Sequence, residues 1–144
     1  MVRLLPQGRL VRNMREKENK AIVETFYDAA NRGDMDTCFG LISDDICWTN
    51  IGTTSLSGTF RGKQELQAKL LGPLFGRLKA GISTQVHNLI AEGDYVVAQT
   101  SGRAETLDGQ PYNNTYCWIA RIRDGKISEV TEYMDTALIA SVFS

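Results

Sequence analysis

Three turn signals set about 15 residues apart constrain this chain more than anything else in it. They are Gly93–Asp94, Asp108–Gly109 and Asp124–Gly125. Adjacent Gly and Asp supply the positive-φ backbone that tight hairpins require. β-branched and aromatic residues fill the intervals, as in Tyr95-Val96-Val97 and Tyr116-Cys117-Trp118-Ile119. This spacing predicts a meander of four long antiparallel strands from Ile82 to about Met134. Asp135 then starts a short terminal helix through Phe143.

The first half has a helical texture. Ala21, Ile22, Thr25, Phe26, Ala29 and Ala30 recur at helical spacing and predict a helix over 16–32 with one buried stripe. Gly33 is its left-handed stop, and Asp34 caps a second helix with Met35, Cys38, Leu41 and Ile42 on its apolar side. Asp44–Asp45 breaks that helix, and Ile46–Asn50 reads as a short strand. A Gly/Ser/Thr-rich loop follows from Ile51 to Thr59. A third helix is expected from about Arg61, its face built from Leu66, Leu70, Leu71, Leu74, Phe75 and Leu78, with Pro73 kinking or ending it. Residues 1–15 carry Arg3, Arg9, Arg12 and Arg15 before any acid. They read as a flexible basic extension on a domain spanning 16–144, and Met14 is an alternative start.

Composition excludes several classes of function. At 144 residues with a formal net charge of −1, the chain forms one domain with no global field for nucleic acid or anionic lipid. No apolar run approaches the roughly 20 residues of a membrane span. Cys38, Cys47 and Cys117 lack metal-site or disulfide-framework spacing, and they read as free thiols of a cytoplasmic protein. With one histidine and no ligand cluster, neither a metal nor a cofactor is implied. Gly58-Thr59-Phe60-Arg61-Gly62-Lys63 has the wrong glycine spacing for a phosphate loop, and Gln64 stands where a hydroxyl residue is needed.

Candidate site residues come from strand register. A two-residue turn at Asp108–Gly109 places Gln99 opposite Trp118, Ser101 opposite Tyr116 and Arg103 opposite Asn114. A three-residue bulged turn at Asp124–Gly125 places Trp118 opposite Val130, Tyr116 opposite Glu132 and Asn114 opposite Met134. A two-residue turn there would swap the face of Glu132. The bulged register yields a row of Ser101, Tyr116 and Glu132, flanked by Gln99, Asn114, Trp118, Arg103 and Met134. Within that aromatic surface Glu132 would be desolvated, its pKa raised, and fit for acid/base work. The competing reading pairs it with Arg103 or with the Tyr116 hydroxyl. Trp48 is expected to wall the pocket beside Trp118. His87 either reaches the pocket or plays a hydrogen-bonded structural part.

The stretches Tyr112-Asn113-Asn114-Thr115-Tyr116-Cys117-Trp118, Arg123-Asp124-Gly125-Lys126-Ile127, Glu132-Tyr133-Met134-Asp135-Thr136 and Asn31-Arg32-Gly33-Asp34 closely resemble SnoaL-like proteins of the nuclear transport factor two-like superfamily. The resemblance covers residues 18–143. It implies an α+β fold: a cone-shaped α+β barrel, with three N-terminal helices on a curved antiparallel sheet, a short C-terminal helix and a homodimer across the convex face. Against limonene epoxide hydrolases, Asn50 and the acid at Glu132 are kept. Trp48 replaces a tyrosine, and an Arg-x-Asp pair falls on Gln99-Thr100-Ser101, which argues against epoxide hydrolysis by that route. Against ketosteroid isomerases, the general-base aspartate falls on Asn50, and an amide takes no proton at neutral pH. The SnoaL cyclases, with a single acid/base carboxylate, are the nearest chemical analogy.

The resulting expectation is proton-transfer chemistry on a small, apolar, oxygenated molecule. Glu132, Asn50 and Tyr116 are its catalytic residues. Trp48, His87, Gln99, Ser101, Asn114, Trp118 and Met134 are its ligand-binding residues. A non-catalytic small-molecule binder and a dimeric module with a filled cavity are the alternatives.

Overall fold

The computed structural model describes residues 7–144. The elements are α1 (Gln7–Asn31), α2 (Met35–Leu41), β1 (Ile42–Asn50), β2 (Gly58–Arg61), α3 (Lys63–Leu66), a π-helical turn (Gln67–Leu71) and α4 (Gly72–Phe75). They continue with β3 (Ser83–Glu92), β4 (Tyr95–Arg103), β5 (Thr115–Arg123), β6 (Lys126–Met134) and α5 (Thr136–Phe143). The strands form one six-stranded sheet in the order β2-β1-β6-β5-β4-β3. All neighbours are antiparallel except β1 and β6. The two edges, β2 and β3, do not pair with each other, so the cone is an open curled sheet rather than a closed barrel. No helix among the described residues is long and apolar enough to cross a membrane.

The expected four-strand meander is present, and α2 starts at its predicted cap. Asp34 accepts from the Thr37 backbone N–H at 3.2 Å and from the Thr37 hydroxyl at 2.6 Å. Other boundaries moved. Residues 7–15, expected as part of a flexible arm, continue α1 toward the N-terminus, with the side chains of 8–15 exposed, and residues 1–6 lie outside the described residues. β1 begins at Ile42 with no break at Asp44–Asp45. The end of the predicted Gly/Ser/Thr loop is strand β2, which pairs Phe60 with Trp48. The third helix starts two residues late and is interrupted by the π turn ahead of Pro73.

The buried stripe of α1 is rotated by about one residue from the predicted one. Ala21 and Thr25 are exposed, whereas Val23, Tyr27 and Ala29 are buried. Val23 and Tyr27 bring more apolar area to the sheet than an alanine and a threonine, so the helix turns to bury them. The helix packs on β3 and β4. The core lies between it and the concave face of the sheet, centred on Trp118, which is 1% exposed. The Trp118 ring stacks on Phe26 at 5.6 Å and meets Tyr27 at 5.4 Å and Trp48 at 6.0 Å.

Two turns decide which residues share that face, and both differ from the predicted register. At Asp108–Gly109 the loop holds three residues, not two. The Thr106 N–H donates to the Gln110 carbonyl at 2.8 Å, with Gly109 at φ 89°. That one-residue difference pairs Ala98 with Trp118 and Thr100 with Tyr116, and it turns Gln99, Ser101 and Arg103 to the opposite face. At Asp124–Gly125 the turn holds two residues, with φ 51° and 73°, and pairs Arg123 with Lys126. A bulge then takes up one extra residue on β6, between the Ile122–Ile127 and Arg121–Glu129 pairs. The two offsets cancel in facing: Glu132 stays on the concave side, opposite Trp118 rather than Tyr116. Gly125→Ala would place a Cβ at a positive φ and is expected to lower stability by about 1 kcal/mol in chemical denaturation. Unchanged stability would refute the turn conformation.

Candidate functional site

A cavity of about 90 Å³ opens between the concave face, α1, α4 and α5. The polar groups at its wall are Glu132, Asn50, Thr84, Thr100, Tyr27, Tyr112 and Tyr116, and Met134, Leu74 and Ile139 are among its apolar ones. Glu132 sits between Trp118 and Asn50 in a row formed by Ala98, Trp118, Glu132 and Asn50 across four adjacent strands.

Among the described residues Glu132 is the only carboxylate of the wall. It takes part in no ion pair among the described residues. The alternative pairing with Arg103 is excluded by position, because Arg103 is exposed on the other face. What surface Glu132 keeps open faces the cavity it lines. Burial pushes its carboxyl up to about 7, against a pull downward from the Trp48 indole N–H. The carboxyl therefore exchanges a proton near neutrality, as an acid/base group requires.

Its neighbours are neutral hydroxyls. Burial and the nearby Glu132 charge raise the Tyr27 phenol well above its ordinary value, with the Thr100 hydroxyl opposing. Burial likewise raises Tyr116 and Tyr112. All three stay protonated at physiological pH and act as hydrogen-bond donors. Asn50 is largely committed to structure. Its Oδ1 accepts from the Trp48 indole at 3.0 Å, and its Nδ2 donates to the Leu56 carbonyl at 3.1 Å.

Of the residues singled out from sequence, Glu132, Asn50, Tyr116 and Met134 meet at the cavity. Trp48 and Trp118 are buried behind its wall rather than on it. Asn114 is fully occupied. Its Nδ2 donates to the Tyr112 hydroxyl at 3.3 Å and the Asp135 carbonyl at 3.1 Å, and its Oδ1 accepts from the Thr115 and Asp135 backbone N–H groups at 2.8 and 3.0 Å. Gln99, Ser101 and His87 lie on the convex side. The His87 ring meets the Ser101 hydroxyl at 2.8 Å, and Gln99 accepts from Asn88 at 3.3 Å. The one-residue error at Asp108–Gly109 misplaced Gln99 and Ser101 together. Sequence reasoning missed Tyr27, Thr84, Thr100 and Tyr112. A three-residue turn at Leu107-Asp108-Gly109 would have turned Thr100 inward, and a helix stripe centred on Val23 would have turned in Tyr27.

Asn114→Ala would leave two part-buried backbone N–H groups, of Thr115 and Asp135, without their acceptor. It is expected to lower stability by about 3 kcal/mol in urea denaturation. A loss under 1 kcal/mol would mean that the four bonds are not formed in solution.

A family model described as "SnoaL-like domain" matches residues 23–130, about three quarters of the chain. The chain belongs to the SnoaL-like family. Its fold is the one this family shares with known structures. Bal32a, from a soil-derived mobile gene cassette, superposes with a TM-score of 0.81 at 20% identity, covering 90% of this chain and 99% of that one. A Mycobacterium tuberculosis protein described as an LEH-like epoxide hydrolase superposes with a TM-score of 0.70 at 24% identity, covering 85% and 86%. In sequence, "Epoxide hydrolase EphG" of Mycobacterium tuberculosis (strain ATCC 25618 / H37Rv) is 28% identical over 115 residues, 78% of this chain and 70% of that protein. This SnoaL-like chain is thus a distant homologue of an epoxide hydrolase. Its β4 presents Ala98, Thr100 and Gly102 to the concave side, and neither face offers an arginine–aspartate pair at positions 99–101.

Proposed function

We propose that this SnoaL-like protein is an enzyme that moves a proton on a small, largely apolar, oxygenated molecule, with Glu132 as the acid/base group. One observation carries the reading: a single carboxyl, unpaired with any cation among the described residues and raised to about 7, lines a cavity whose other polar groups are mostly neutral hydroxyls. Isomerisation, aldol cyclisation, dehydration and hydration all need such a group. Tyr116 and the free Nδ2 hydrogen of Asn50 would orient the substrate. The cavity is smaller than the roughly 150 Å³ that admits benzene in an engineered apolar core. It suits the reacting end of a molecule.

The epoxide hydrolase relative favours a second reading, hydrolysis of an epoxide. A thermal-shift screen of the wild type and Glu132→Gln separates the candidates, using cyclic ketones, steroids, terpene epoxides and polyketide-like diketones. A ketone that raises the melting temperature of both proteins and turns over only in the wild type supports proton transfer. Turnover of an epoxide to a diol replaces it with the second reading. Binding without turnover in either protein makes the chain a small-molecule binder.

The reading includes a homodimer through the convex face. Ile90, Val97 and Ile119 form an apolar row across β3, β4 and β5, and Ile90 and Tyr133 are 52% and 44% exposed. Analytical ultracentrifugation at micromolar concentration is expected to show a dimer, and Ile119→Arg a monomer. A wild-type monomer would remove the dimer from the reading.

A further inference from the structure

The wall of the concave cavity carries a negative charge and nothing of opposite sign. Glu132 reaches it from β6, and no lysine, arginine or histidine among the described residues lines it. A carboxylate withdrawn from water without a cation beside it is costly. A positive charge entering the cavity would offset that cost by pairing with it. The rest of the wall selects the kind of cation. Tyr27, Tyr112 and Tyr116 line it, and burial keeps these phenols neutral. A phenol attracts positive charge through its ring face and through its oxygen. Alkyl groups of Leu56, Ile82 and Ile139 add an apolar surface. A hard metal ion needs several charged oxygens, and no metal-holding group of three acids, histidines or cysteines exists among the described residues. A primary ammonium brings three N–H donors to a wall with one charged acceptor. An ammonium with a single N–H and alkyl groups matches both the carboxylate and the apolar surface. At about 90 Å³ the cavity is below the roughly 150 Å³ that admits benzene, so the head group has fewer heavy atoms than benzene.

We infer that the concave cavity binds a small tertiary ammonium head group, with its N–H donated to Glu132 and its alkyl groups set against the tyrosines and the aliphatic wall. Glu132 serves here as a counter-ion. The inference does not rest on its part in proton transfer, so either reading can fail while the other stands. A bound ammonium holds the carboxyl ionised and occupies the space of any other substrate, so it inhibits the proton transfer proposed above. No covalent bond changes. Where Glu132 is protonated, its proton passes to solvent as the ammonium binds. The other titratable groups of the wall are Tyr27 from α1, Tyr116 from β5 and Tyr112 just before β5. All three are raised and stay protonated through pH 8. Among the described residues of the wall, Glu132 therefore sets the pH dependence of binding.

The probe is trimethylammonium chloride, titrated by isothermal calorimetry at pH 6 and pH 8, where it is a cation throughout. Wild type is expected to bind it about tenfold more tightly at pH 8, in the ratio of the ionised fractions of a carboxyl that titrates at about 7. tert-Butanol has a similar shape and no charge, and it is expected to bind about tenfold more weakly. Ammonium chloride has the charge and no alkyl groups, and it is expected to bind more weakly by a similar factor. Glu132→Gln is expected to lose about tenfold in affinity for trimethylammonium at pH 8. If that variant does not fold, the comparison of charged and neutral probes on the wild type carries the test. A wild type that does not bind trimethylammonium at millimolar concentration at pH 8 overturns the inference. So does tert-butanol or ammonium that binds as tightly, an affinity independent of pH, or an affinity unchanged in Glu132→Gln.

Discussion

Glu132→Gln is expected to lose about 10³-fold in proton-transfer turnover while binding ligand within a few fold of wild type. Glutamine keeps the shape of the side chain and removes only its proton chemistry. The wild-type rate is expected to rise with pH through about 7, where the carboxyl ionises and becomes a base. That limb should vanish in the variant. A rate that falls through the same range would make Glu132 the acid instead, and an unchanged rate would sink its role altogether. The same substitution has a stability signature of known sign. Glu132 titrates near 4.5 in the unfolded chain and near 7 in the folded one, so the folded state binds the proton more tightly between those values. Its contribution is fully favourable below about pH 4.5 and is lost as pH rises through 7. Glutamine does not titrate. The variant is therefore expected to match wild type at pH 4 and to exceed it by about 3 kcal/mol at pH 8 in denaturant unfolding. Equal stability at both pH values would show that the carboxyl is not desolvated.

Trp118→Ala is expected to lower stability by about 4 kcal/mol, a large share of what a domain of this size has. Trp118 is almost fully buried and touches three other aromatic rings, from α1 and β1. Removing it leaves a void at the junction of helix and sheet that those rings fill only in part. The effect should reach the cavity, because Trp118 stands opposite Glu132 and its ring contacts Tyr27. Urea denaturation checks the magnitude. A loss under about 1.5 kcal/mol would mean that the core repacks around the gap and that the aromatic cluster is not what locates α1.

Much of this protein is set by local chemistry and is legible without a structure. The glycine–aspartate turns punctuate the chain whatever surrounds them, so the four-strand meander follows from residues 82–134 alone. Asp34 and Asp135 cap the helices they precede, because a cap needs only its own next three residues. The facing of Glu132 was also reached, although through a turn length and a bulge that each differed from the expected ones. What local sequence did not decide is anything that depends on counting residues across a gap. A β-strand alternates faces at every residue, so one residue more at Leu107-Asp108-Gly109 exchanged Gln99 and Ser101 for Thr100. The rotation of α1 that brings Tyr27 inward is set by the sheet it packs against, which buries Val23 and Tyr27. Tyr112 precedes β5 and shows no strand pattern of its own. Its place at the cavity wall is set by Phe143, distant in the chain, against whose ring it packs edge-on at 4.8 Å. Periodicity and turn chemistry thus determined the elements and the one acid. Register, helix rotation and the donors around that acid were decided by tertiary packing, because each is a relation between segments far apart in the chain.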